Sequence, residues 1–306
     1  MAARIAIVGA GAIGGYYGAR LALAGAEVRF LLRGDLATMR AHGLTLREKD
    51  GTRHLRDVAA FATTEEIGEV DLVLVALKTT ANGALARLLP PLVGPQTLVV
   101  TLQNGLGNEE LLAELVGPER VLGGLCFIAV MRERPGELLG FHTPGAITLG
   151  EFGRPAATRT HALAERFALA GIKCTVVENL AEARWRKLVW NVPFNGLAIA
   201  AGGITTDKIL ADPALAAEVR GLMDEIAGVA RRLGYEVPEK FIQHQIDVTP
   251  SMGPYQPSSL IDYRAGREVE VEAIWGEPLR RAQAAGAPVP RLARLHAQLK
   301  VLTGKV

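Results

Sequence analysis

Near the start of the chain, the apolar run Ile5 to Val8 enters Gly9-x-Gly11-x-x-Gly14, and the chain continues with no proline through Tyr16 to Ala24. That order reads as a buried strand, a tight turn and a helix. Gly9 makes the turn, Gly11 leaves the backbone open to a pyrophosphate, and Gly14 lets the helix lie close to the strand. The free N–H groups of the first helical turn then face the phosphates, and the helix dipole adds to their attraction. A second strand, Glu27 to Leu32, follows Gly25, so the βαβ context of a dinucleotide site is complete. Gly9, Ala10, Gly11, Ala12, Ile13 and Gly14 are the expected phosphate-binding loop.

The residue closing the second strand indicates which dinucleotide. An NAD-binding unit usually places Asp or Glu there, to accept from the ribose hydroxyls. This chain has Arg33, while Glu27 stands at the strand's beginning, too early to reach the ribose. A guanidinium offers a planar fork of donors suited to a 2′-phosphate, so NADP(H) is the expected cofactor. The competing reading is a solvated surface charge.

With 306 residues the chain suits two domains better than one. Thirty-four basic and thirty-two acidic side chains nearly cancel, and no basic run is interleaved with aromatics, so nucleic acid is not an expected partner. Cys126 and Cys174 lack any metal-ligand spacing, which argues against a metal site or a disulfide framework and fits a reducing cytoplasm. The apolar N-terminus reads as a strand and not as a signal peptide. No run of eighteen apolar residues follows it, so no membrane span is expected.

Asp50-Gly51 predicts a hairpin between Leu44 to Arg47 and Thr52 to Leu55, at the edge of a sheet. The apolar run Leu72 to Leu77 predicts a parallel strand covered on both faces, leading through Lys78-Thr79-Thr80 into a helix ending near Leu89. The strand Thr97 to Thr101 leads into the polar loop Gln103-Asn104-Gly105-Leu106-Gly107-Asn108, a second candidate contact for cofactor or substrate. Short strands are expected at Leu125 to Met131, Leu138 to His142 and, after a Thr143-Pro144-Gly145 turn, Ala146 to Leu149. A helix from Ala157 to Ala170 and a strand from Lys173 to Val177 would complete the sheet. Beyond Asn179 the periodicity is helical: Ala181 to about Ala201, Pro213 to Leu233, Glu239 to about Ile246, and a last helix after Pro290. The expected layout is an α/β, N-terminal Rossmann dinucleotide-binding domain over 1–178 and an all-α C-terminal domain over 179–306, with a cleft facing the nucleotide loops.

Lys187, Asn191 and Asn195 follow one another at i, i+4, i+8, which places a cation and two amides on one face of a helix otherwise rich in Trp, Val, Leu and Phe. Pro193 lies inside that helix and should kink it. On the blander reading Lys187 is a surface lysine and the asparagines bond their own backbone. Downstream, Glu268-Val-Glu-Val-Glu272 alternates like an amphipathic strand. A helix start after Gly266-Arg267 is preferred, because acidic residues in a first turn suit the dipole.

These segments together resemble the ketopantoate reductase family over nearly the whole chain. Gly9-Ala-Gly-Ala-Ile-Gly14, Leu77-Lys78, Gln103-Asn104-Gly105, Trp185-Arg186-Lys187-Leu188 with Asn191 and Asn195, and Gly266-Arg267-x-x-Glu270 carry the resemblance. It implies a Rossmann domain joined to a helical domain and NADPH-dependent reduction of a 2-oxo acid, ketopantoate, to the 2-hydroxy acid in pantothenate biosynthesis. Lys187 would be the proton donor to the ketone, and Asn104 and Lys78 would meet cofactor and substrate. Ala129 would touch the nicotinamide through its backbone. Asn191, Asn195 and Ser258 would hold the substrate's carboxylate and hydroxyl, and Glu270 would contact the nicotinamide ribose or organise the ketone site. Ala198, Ser259, Thr205 and Glu272 depart from the family's usual Thr, Met, Asn and Asp. They leave open another branched or aromatic 2-oxo acid as substrate. A catalytically silent NADP-binding sensor is the alternative from a different class, and a homodimer through the helical domain is a possible assembly.

Overall fold

The computed structural model describes residues 3–304, apart from the side chains of 142–144. The chain forms two compact units. One comprises the residues up to Gln103 together with Asn108–Leu180, the other Asn104–Gly107 together with the residues from Ala181 onward.

The first unit is built on a sheet of ten strands: β1 (Arg4–Val8), β2 (Glu27–Leu31), β3 (Leu44–Glu48), β4 (Gly51–Leu55), β5 (Ala59–Phe61), β6 (Val70–Val75), β7 (Val93–Thr101), β8 (Val121–Arg134), β9 (Glu137–Glu151) and β10 (Lys173–Val176). The spatial order is β4-β3-β9-β8-β7-β6-β1-β2-β5, with β10 beside β9. Strands β5, β2, β1, β6, β7 and β8 pair in parallel, whereas β8–β9 and β3–β4 are antiparallel. The chain runs outward from β1 to β2 and β5, then returns to place β6 on the other side of β1. The crevice for a ligand in such a sheet opens at that reversal, beyond the carboxyl ends of the strands.

Alternate residues of the central strands feed two cores. Ile5, Ile7, Leu72, Leu74 and Val100 pack with Tyr16, Tyr17 and Leu21 of the helix Ala12–Leu23. Ala6, Val8, Val73, Val75 and Val99 pack on the opposite face with Leu85, Leu89 and Leu112. Both faces are covered, which is why these strands are apolar throughout.

The hairpin forms as read, with Glu48 opposite Gly51 and β4 at the sheet's edge. Three local expectations are corrected. The strand expected at Leu72 to Leu77 spans Val70–Val75, so Leu77 lies beyond it. The helix expected to reach Leu89 is a 3₁₀ stretch, Thr79–Ala84, with a single α turn, Leu85–Leu88, because Asn82-Gly83 disfavours a regular helix. The two strands expected around Thr143-Pro144-Gly145 are one strand, β9. Phe127 pairs with Ala146 but Ala129 with His142, so two steps along β8 match four along β9. A bulge absorbs the residue that cannot donate to a ladder, and no turn is needed.

The second unit is helical: Leu180–Ala200, Thr206–Ala211, Pro213–Arg232, Glu239–Val248, Ser258–Arg264, Glu277–Ala284 and Pro290–Leu302. Trp185, Phe194, Leu222, Met223, Ile226, Trp275, Leu292 and Leu295 form its core. The Asp212 carboxylate accepts from the N–H groups of Ala214 and Leu215 at 2.8 and 3.1 Å, with Pro213 opening the helix. This is a strong helix start that sequence alone displays. The helices Thr206–Ala211 and Ser258–Arg264 were not expected, being too short to show a period. Another correction concerns Glu268 and Glu270, which precede the helix and do not open it. Val269 and Val271 are buried and the Val271 N–H bonds the Val269 carbonyl at 2.8 Å, so apolar burial overrides the acids' preference for a first helical turn. The chain then enters a π-helical turn, Glu272–Gly276, before the regular helix.

Candidate active site

In the first unit the register brings Leu31, Val8, Val75 and Thr101 level in neighbouring strands. The segments that follow them, namely Leu32–Arg33, Gly9–Gly14, Ala76–Lys78 and Leu102–Gln103, therefore begin along one edge of the sheet. Gly9 has φ +103°, and a Cβ there would stand 2.5 Å from the Leu77 nitrogen. A Cβ on Gly14 would overlap the Gly9 carbonyl oxygen and press on Ala76 and Ile7, each 3.0 Å away. Gly11 is different: its φ of −75° suits any residue, and a Cβ would meet nothing within 4 Å. Neither backbone conformation nor internal packing requires glycine at 11, whereas close approach of an external group would. The loop thus fits the pyrophosphate of a dinucleotide, with Ala10, Ala12 and Ile13 half-buried along it.

Arg33 is exposed just past β2 and, among the described residues, makes no hydrogen bond or ion pair. Lys78 is exposed in extended backbone ahead of the 3₁₀ stretch. Ala129 lies between two register shifts of β8. Gln103, only a motif marker in the sequence, has a clear structural role. Its Nε2 donates to the Leu77 carbonyl at 3.0 Å and to Asn82 Oδ1 at 2.7 Å, and it accepts from Thr101 Oγ1 at 3.0 Å. It ties the end of β7 to the loop after β6. A glutamine directly after an apolar strand was the available signal.

In the second unit Lys187, Asn191 and Asn195 lie on the one helix Leu180–Ala200, which continues through Pro193. Lys187 Nζ donates to Asn104 Oδ1 at 2.9 Å. Asn104 comes from the loop after β7, yet it groups with the helices, and this crossing has no counterpart in the sequence reading. Asn191 is 8% exposed, and its amide has no hydrogen-bond partner among the described residues. Asn195 is engaged: its Oδ1 accepts from the Ser259 N–H at 3.1 Å and from Ser258 Oγ at 3.5 Å, satisfying an otherwise orphan donor at the start of the helix Ser258–Arg264. Glu270 is buried, and its carbonyl accepts from the Ile274 N–H at 3.2 Å. Arg267 Nε donates to Asp262 Oδ1 at 3.0 Å and its N–H to the Asp262 carbonyl at 2.9 Å. Those two bonds fasten the segment leading to Glu270 onto the helix that carries Ser258. The Thr205 hydroxyl donates to Asp207.

An ammonium oriented by an amide oxygen, with an unpartnered amide one helical turn away, can receive a small molecule rich in oxygens and place a proton on one of them. Among the described residues no cluster of three or more His, Cys, Asp or Glu is placed to hold a metal ion, and no helix is long and apolar enough to cross a membrane.

Two family models match the chain: Ketopantoate reductase PanE/ApbA over residues 5–154, and Ketopantoate reductase PanE/ApbA C terminal over residues 179–303. A 2-dehydropantoate 2-reductase of Nostoc sp. is 41% identical, covering 99% of this chain and 96% of that one. The crystal structure of 2-dehydropantoate 2-reductase from Geobacter metallireducens GS-15 superposes with a TM-score of 0.95 at 42% identity, over 97% of this chain and 99% of that one. D-mandelate dehydrogenase, solved with NADH and anilino(oxo)acetate, shares the fold with a TM-score of 0.90 at 23% identity, over 99% of this chain and 98% of that one.

Proposed function

Because the chain belongs to the ketopantoate reductase family and is thereby an oxidoreductase, we propose that it reduces ketopantoate (2-dehydropantoate) to pantoate with NADPH, a step of pantothenate biosynthesis. The observation that carries this reading is the Lys187–Asn104 hydrogen bond beside the unpartnered Asn191 on the same helix. When bound, NADPH supplies a hydride to a carbonyl carbon. Lys187 stabilises the charge that grows on the carbonyl oxygen and delivers the proton to it, while Asn104 holds the ammonium in line. Asn191 bonds the substrate's carboxylate or hydroxyl, Asn195 fixes Ser258 for the same task, and Glu270 closes the site beside the ketone or the ribose. Gly9 to Gly14 receive the pyrophosphate, Arg33 the 2′-phosphate, and Lys78 and Ala129 the nicotinamide half.

One observation favours a second reading, a reductase of another branched or aromatic 2-oxo acid. The Thr205 proton is committed to Asp207, so Thr205 is not a donor for the terminal hydroxyl of ketopantoate. The deciding experiment is NADPH consumption with ketopantoate and with 2-oxoisovalerate, which lacks that hydroxyl. A site built to bond the hydroxyl rejects the analogue by about 10⁴-fold, whereas an apolar pocket discriminates by about 10 to 200-fold per methylene-sized change. A clear preference for ketopantoate is expected. Equal or reversed specificity constants move the activity to the second reading, and NADPH binding without consumption on any 2-oxo acid rejects both.

A further inference from the structure

We propose that the π-helical turn Glu272–Gly276 is the seat that sets Asn104 against Lys187, and that Gly105 and Trp275 are its positioning residues. The inference rests on the reading of Lys187 as the proton donor.

Asn104 belongs to no helix of its unit, so something must hold it. The Leu106 N–H donates to the Ala273 carbonyl at 3.0 Å, inside the π turn. That carbonyl is available for a specific reason. In a regular helix it would accept from Glu277, but the Glu277 N–H is given to the Glu272 carbonyl, five residues back. The π alternative would be the residue five beyond Ala273, which is Pro278 and has no N–H. The turn thus leaves the Ala273 carbonyl open, and the loop carrying Asn104 takes it. Gly105 makes the approach possible: with φ +86°, its Cβ would overlap the Ala273 oxygen and stand 2.5 Å from the Ala273 carbonyl carbon. Any other residue would both strain the backbone and lift the loop from its seat.

The same turn reaches the helix of Lys187 on its other side. Trp275 Nε1 donates to the Val192 carbonyl at 2.9 Å, next to Pro193 and between Asn191 and Asn195. Gly196 leaves room for the indole, since a Cβ there would lie 2.9 Å from Nε1. One turn therefore grips both the loop that presents the amide oxygen and the helix that presents the ammonium. Its geometry fixes the 2.9 Å bond between them.

The test is a double-mutant cycle of Gly105→Ala and Asn104→Ala in the full chain, reading kcat, KM, the solvent deuterium isotope effect, NADPH affinity and heat stability. Gly105→Ala should lower kcat by about 10²-fold, the cost of a misplacement on the order of 1 Å, and raise the isotope effect as proton delivery becomes limiting. KM and NADPH affinity should change far less than kcat. In the Asn104→Ala background the same change should cost almost nothing more, because residues acting through one contact are not additive. Equal losses in both backgrounds, or a kcat that falls only with the folded fraction, overturn the proposal. If Gly105→Ala does not fold, Trp275→Phe keeps an aromatic side chain, smaller than the indole, and removes the donor. It should show the same dependence on Asn104, and parental turnover there overturns the proposal equally. Lys187→Ala with turnover intact refutes the proton donor itself, whatever Gly105 does.

Discussion

The Lys187 ammonium and the Asn104 amide oxygen meet at 2.9 Å although 83 residues separate them in sequence. Such a contact orients a charged donor before any substrate arrives. A general acid typically contributes about 10² to 10⁴ in rate. Lys187→Ala should lower the rate of 2-oxo acid reduction within that range and leave NADPH affinity nearly unchanged, as read by fluorescence titration. Near-parental turnover would remove Lys187 from the reaction.

Asn191 presents the opposite situation, an amide on a residue only 8% exposed that makes no hydrogen bond among the described residues. Its polar atoms are not among the buried side-chain atoms that lack a partner, so water reaches them and their removal relieves no large penalty. Asn191→Leu should therefore raise KM for the 2-oxo acid with little gain in melting temperature. A variant that melts lower and binds substrate as well as the parent would assign Asn191 to the core.

The glycine loop gives a paired test in which the two substitutions separate. Gly14→Ala forces a Cβ onto the Gly9 carbonyl and should cost about 1 to 3 kcal/mol of stability. Gly11→Ala meets nothing and should melt with the parent, yet weaken the dinucleotide by obstructing its phosphates. Unchanged NADPH affinity in Gly11→Ala would mean that the open space in front of this loop is not where the pyrophosphate lies.

Arg33, exposed and without a partner among the described residues, should set the choice of dinucleotide. Charge-assisted hydrogen bonds contribute about 1.5 to 3 kcal/mol, which corresponds to a preference for NADPH of roughly 10 to 150-fold. Salt should reduce that preference, and Arg33→Asp should abolish or reverse it. The ratio of specificity constants for NADPH and NADH, at two salt concentrations, reads both effects, and a ratio that ignores the substitution makes Arg33 a surface charge only.

Glu151, at the end of β9, carries a pH prediction. Burial raises its carboxyl, but hydrogen bonds from Arg159 and Thr160 and the neighbouring Arg154 outweigh burial and hold it below the usual glutamate range. A carboxyl depressed in the folded state stabilises the protein above its unfolded value and loses that effect as pH falls through the folded one. Glu151→Gln should cost about 1.5 to 3 kcal/mol near neutral pH. The difference from the parent should shrink as pH drops below about 4. Denaturant melts at several pH values measure it, and a gap that persists undiminished at low pH would mean that the carboxylate's charge is not what matters.

What the sequence displayed were features repeated with a period or bounded by glycine and proline. The Gly9 to Gly14 loop, the Asp50-Gly51 hairpin and the helix from Pro213 all have local causes, so local reading sufficed. The i, i+4, i+8 series placed Lys187, Asn191 and Asn195 on one helix for the same reason. What stayed hidden depends on partners distant in the chain. Asn195 caps a helix sixty-odd residues away, Gln103 bonds the loop after β6, and Val269 and Val271 draw Glu268 and Glu270 out of a helix because a core is there to receive them. Pro144 reads as a turn in sequence because an inner strand tolerates proline where it bulges, and the bulge of β9 is defined only by its pairing with β8.

The excursion of Asn104–Gly107 bears on how this chain could be divided or recombined. A cut near residue 180 looks natural, yet a fragment ending there keeps the amide oxygen and gives away the ammonium it serves. Two such halves produced separately would divide the hydrogen-bonded pair Lys187 and Asn104 between them. Chimeras made by exchanging everything before Ala181 with a relative would also import a foreign loop onto the turn at Ala273. The smallest piece that keeps this hydrogen bond and its seat together is therefore discontinuous in the gene: a helical half plus four codons borrowed from the middle of the other.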